Sequence, residues 1–101
     1  MIVGVAALEI QIHGSNSLKE KRGVVQSICR RLRNRFPMAV AEVGGQDLWQ
    51  RGTVGAALVT TDGRLARSML DRIAGGIGRD GEVELLSSRV EFFHPEGSET
   101  A

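Results

Sequence analysis

The sequence predicts an α+β fold, a four-stranded antiparallel sheet with both helices on one face, and three observations carry that prediction. Residues 2–13 open with small and β-branched side chains and then alternate, Leu8, Ile10 and Ile12 facing one way and Glu9, Gln11 and His13 the other, which is the period of a half-buried strand. Ser17-Leu18-Lys19-Glu20 has the spacing of a capping box and is followed by apolar residues at helical intervals. The elements after it read strand, strand, helix, strand, so that the chain comprises two split β-α-β units.

Taken in order, Gly14 and Ser15 end the first strand and Ser17 caps a helix that runs to about Arg35. Its apolar arc consists of Leu18, Val25, Ile28, Cys29, Leu32 and Phe36, with Val24 at the margin, and Pro37 stops it. A short strand follows over 38–43. The segment GGQDLWQRG connects it to a third strand over 53–61. Asp62 is placed to cap a second helix with a core stripe of Leu65, Ala66, Met69, Leu70, Ile73 and Ile77, and Gly75, Gly76 and Gly78 weaken its end. The last strand covers roughly 82–93, with a bulge or bend expected at Ser87-Ser88. One ferredoxin-like domain over 1–93 and a flexible acidic tail over 94–101 result, and right-handed, un-knotted connections favour the strand order 4-1-3-2.

One helix layer covers one sheet face only. Val3, Val5 and Ala7 on the first strand, and Ala57 and Val59 on the third, are apolar on the side away from the helices. An uncovered apolar face predicts a homodimer through the open sheet.

Composition is that of an ordinary globular chain, 42% hydrophobic and 25% charged. No apolar run is long enough to span a bilayer and no secretory pattern opens the chain, so a cytoplasmic protein without a membrane partner is expected. The lone Cys29 fits a reducing compartment. A formal charge of +1 conceals an asymmetry: residues 17–36 carry seven basic side chains and one acid, a local +6, and the rest of the chain is −5.

Topology places the start of the first helix, the 44–52 connection and the approach to the last strand, with Arg79, at one rim. Lys19, Lys21 and Arg22 sit in the first helical turns, where each cation opposes the helix dipole by about 0.3–1 kcal/mol. Cations so placed point to an anionic partner. Arg30, Arg31, Arg33 and Arg35 complement the dipole at the other end. Lys19, Arg22, Arg30 and Arg33 share one sector of about 80° on the helical wheel, a stripe suited to a nucleic-acid backbone. Candidate nucleic-acid or anion contacts are therefore Lys19, Lys21, Arg22, Arg30 and Arg33 with Gln46, Asp47, Trp49, Gln50 and Arg51 of the connection. Trp49 is read as a lid over the sheet edge or dimer seam, with base stacking as the other role open to it.

Enzymatic chemistry finds little support. His13, His94 and Cys29 are far apart in sequence, no Cys/His spacing suits zinc, and Glu42 with Asp47 makes a poor acid/base pair. GGIGRDG precedes a strand instead of opening a helix and lacks the lysine of a phosphate-binding loop. The strands expected at the sheet centre lack the aromatics with which RNA-recognition motifs stack bases. No catalytic residue, metal or cofactor is expected.

The segments SLKEKR (17–22) and VAEVGGQDLWQR (40–51) resemble those of the YlxP-like family of small bacterial proteins, and the resemblance extends over nearly all of residues 1–93. Gly45 stands where the family pattern expects a polar residue. The resemblance implies a ferredoxin-like fold and no established enzymatic activity. Members are often encoded beside translation initiation factor two and a ribosome-binding factor, which implies a role near ribosome maturation or translation. The leading expectation is a non-enzymatic protein that binds ribosomal RNA or ribosomal subunits. The alternative is a homodimeric interaction module docking an acidic protein or a small anionic ligand.

Overall fold

A computed structural model describes residues 1–77 and 81–95. The elements are β1 (Ile2–Ile12), α1 (Leu18–Arg35), β2 (Ala39–Gly44), β3 (Arg51–Thr60), α2 (Gly63–Ile77) and β4 (Val83–Phe93). They form one antiparallel sheet ordered β2-β3-β1-β4, the predicted order read from its other edge, in a ferredoxin-like arrangement. Arg79 and most of the predicted tail lie outside the described residues.

The alternation of β1 decides which face the helices cover. Its even-numbered residues from Gly4 to Ile12 are buried and the odd ones half-buried. The buried set meets Val25, Ile28, Cys29 and Leu32 of α1 and Ala66, Leu70, Ile73 and Ile77 of α2 in one core. α1 lies against β2, whereas α2 packs on β1, β3 and β4. Gly76 brings the helices together, since a Cβ there would stand 3.2 Å from Leu32 Cδ2.

Both helix starts follow from their capping residues. Ser17 Oγ accepts from the Glu20 N–H at 3.1 Å, while Glu20 Oε2 accepts from the Asn16 N–H at 2.9 Å, a capping box displaced outward by one residue. Asp62 Oδ1 accepts from the N–H groups of Arg64 and Leu65 at 3.0 and 3.2 Å. Two expectations shift. Leu65 is 49% exposed instead of lining the core, because it lies in the first turn at the margin of the buried arc. The β4 irregularity falls at Leu86, where the register passes from Glu9↔Ser87 to Ile10↔Leu85. Among the described residues no helix is long and apolar enough to cross a membrane.

Candidate functional site

The ten candidate side chains do not form one surface; they divide among four places. Lys21 is the one that the structure removes from the exterior. On the helical wheel it lies one turn before Val25 and two before Ile28, inside the apolar arc, and its side chain is fully buried. Its Nζ donates to Glu42 Oε2 and, at 2.8 Å, to the Gly45 carbonyl. The expectation that Lys21 meets an external anion is therefore corrected: its charge is answered within the fold by a carboxylate of β2. Gly52 makes the room, since a Cβ at that position would stand 3.2 Å from Glu42 Oε2 and 3.5 Å from Lys21 Cε.

Gln46, Asp47, Trp49 and Gln50 occupy the turn between β2 and β3. The Gly45 carbonyl accepts from the Leu48 N–H at 3.0 Å as well as from Lys21, which uses both of its lone pairs. Gly45 itself has φ +72, and a Cβ on it would meet Gly52 Cα at 3.0 Å, so a side chain there would be strained. At the other end the Gln50 carbonyl accepts from the Ile12 N–H at 2.8 Å and Gln50 Nε2 donates to the Ser15 carbonyl at 3.2 Å. The turn is thus fastened at both ends, with Leu48 52% and Trp49 55% exposed between them. Trp49 is not a buried lid on the sheet edge of its own chain. Arg51, paired in register with Gln11, lies on the sheet face away from the helices.

Lys19, Arg22, Arg30 and Arg33 remain together, all exposed along one flank of α1. Lys19, Arg22 and Arg30 have no hydrogen-bond or ion-pair partner among the described residues. Arg33 Nη1 donates to the Val40 carbonyl at 2.7 Å, which fixes this flank as the one beside β2. Gln26 is exposed at the middle of the stripe. The neighbouring surface of α1 adds Arg31 and Arg35; Arg31 Nη2 donates to the Gly76 carbonyl at 3.2 Å, and Arg35 lies 5.5 Å from the Phe36 ring centre.

On the other flank an open cleft at the start of α1 is lined by His13, Gly14, Ser15, Glu20, Gly23 and Glu82 among others. His13 Nε2 lies 3.2 Å from Glu84 Oε1. Among the described residues that line this opening, the carboxylates are Glu20 and Glu82. Cys29 sits within the core beneath the basic flank. Burial pushes its thiol above its ordinary pKa, an effect that outweighs the opposing influence of Arg33 and is reinforced by Glu42. Among the described residues no cluster of His, Cys, Asp and Glu is arranged to hold a metal ion.

The open sheet face is the third surface. Val5, Ala7, Ala39, Ala41, Val43, Gly55 and Ala57 form a shallow apolar floor bordered by Arg89 and Glu91.

Comparison with known proteins places residues 3–90 within a family described as "Protein of unknown function (DUF503)". A curated relative, "Uncharacterized protein YlxP" of Bacillus subtilis (strain 168), is 36% identical over 92 residues, covering 91% of this chain and 100% of the relative.

Proposed function

The chain belongs to the DUF503 family of proteins of unknown function, and we propose that it is a non-enzymatic RNA-binding protein whose contact surface is the α1 flank carrying Lys19, Arg22, Arg30 and Arg33. The observation that carries this reading is the line of exposed cations, three of them without an internal partner. From Lys19 to Arg33 the helix rises about 21 Å, enough to follow several consecutive phosphates of one strand. Arg33 retains donors beyond the one it gives to Val40, because a guanidinium has five. The stripe contains no acidic residue, whereas Glu20 lines the cleft on the opposite flank, which favours a polyanion lying along the β2 side. Ribosomal RNA is the proposed target, on the gene neighbourhood that the family resemblance implies. Lys21 has no part in the contact.

Titration of ribosomal RNA or isolated ribosomal subunits across a salt series tests the proposal. Four phosphate contacts predict a log-log slope of about −3. The triple variant K19A/R22A/R30A should bind far more weakly and lose most of that slope, with its melting temperature near that of the parent chain. Binding that is absent, or indifferent to salt and to the triple variant, refutes the reading. Retention of a single acidic protein after nuclease treatment would assign the same flank to protein docking instead.

A further inference from the structure

The sheet face opposite the helices has an unusual pattern of side chains for a surface left to water. Cross-strand pairing sets Ala57, Val5 and Glu91 in one row and Gly55, Ala7 and Arg89 in the next, and β2 extends the rows with Ala39 and Ala41. Val43 leans across the floor, its Cγ1 3.0 Å from where a Cβ on Gly55 would be. Around this floor Val59, Val43 and Phe93 are 67%, 58% and 48% exposed. Solvated faces of antiparallel sheets ordinarily carry polar side chains at such positions. Here the polar side chains of the two rows are Arg89 and Glu91, side by side on β4 and without an ion-pair partner among the described residues.

We infer that this face pairs with the same face of a second copy of the chain, about a two-fold axis perpendicular to the strands that passes between the Val5 and Ala7 rows. That operation brings Arg89 of each copy opposite Glu91 of the other and lays the two apolar floors together. A cation and an anion two residues apart on one strand are self-complementary, which is what an isologous contact requires and an unrelated partner does not. The floor, built from Gly, Ala and Val, admits another sheet at close range.

The area sets the strength. Four strand widths of about 4.8 Å and five row spacings of about 6.8 Å give at most roughly 650 Å² of projected face per copy. A specific interface starts at about 600 Å² per partner, so the dimer stands at the small end and should dissociate on dilution.

Sedimentation velocity of the full chain from low micromolar to several hundred micromolar tests the inference. The expected result is a concentration-dependent rise from 10.9 kDa towards twice that mass. R89E or E91R alone should weaken self-association by about tenfold or more, because each places two like charges opposite one another. An equimolar mixture of the two variants should associate again, as a heterodimer in which every facing pair is opposite in sign. Restoration on mixing also excludes misfolding as the cause of the single-variant losses. A monomer at all concentrations, or association that neither reversal weakens, overturns the proposal. The measurement needs no RNA, so its result is independent of the function proposed for α1.

Discussion

Lys21 of α1 and Glu42 of β2 form an ion pair in the interior, and the same ammonium holds the Gly45 carbonyl at 2.8 Å. Three segments therefore converge on one charged atom: the first turn of α1, the end of β2 and the turn that follows it. A lysine near a helix N-terminus opposes the dipole, and the carboxylate beneath it offsets that penalty. K21M should cost about 3 kcal/mol, the low end for breaking a buried pair, since the Glu42 side chain retains 17% exposure. Restoring an apolar partner in K21M/E42L should recover most of the loss. Urea denaturation of the two variants checks both expectations.

Gly52 and Gly45 should both resist replacement, for different reasons. At Gly52 an added methyl would crowd the Lys21–Glu42 pair, and overpacking of this kind costs about 1–3 kcal/mol. At Gly45 the positive φ adds about 1–2 kcal/mol of backbone strain to the contact with Gly52 Cα. G52A should therefore be partly rescued in a K21M/E42L background, whereas G45A should not. Comparing denaturation midpoints in the two backgrounds separates the causes.

Gly23 offers the opposite case. It lies within α1, exposed, and a Cβ there meets nothing within 4 Å. G23A should stabilise the chain by about 0.5–1 kcal/mol, by removing the conformational freedom of glycine from the unfolded state. Thermal unfolding should show a rise of several degrees.

Cys29 should be nearly inert towards thiol reagents in the folded protein. Its thiol is buried and held in the neutral form by that burial, and the reactive species is the thiolate. A folded pKa above the unfolded one contributes stability that is complete below about pH 8.5 and is lost as the pH rises through the folded value. Labelling rates should follow the unfolding equilibrium in urea, and C29A should flatten the alkaline decline in stability.

Much of the fold was legible because local signals agreed with one another. The alternation in β1, the Ser17–Glu20 capping box and the Asp62 cap all name elements that the structure contains. The site was less legible. Charge and closeness to the helix start point Lys21 outward, although its wheel position one turn before Val25 puts it in the buried arc. Its partner Glu42 belongs to another element, and an interaction across elements leaves no local pattern. Residue type and spacing place Leu65 in the core, but it lies in the first turn at the margin of the buried arc and is exposed. Gly45 departs from the polar residue of the family pattern, and only the approach of Gly52 gives a reason.

Arg33 also has a consequence at the margin of the sheet. By donating to the Val40 carbonyl, it occupies a backbone acceptor on edge strand β2 that an incoming strand would otherwise use. The opposite edge strand, β4, is distorted at Leu86, where its pairing slips by one residue. A short edge under an arginine and a bulged edge both discourage lateral growth of a sheet. Sideways polymerisation into fibres is hindered at each margin.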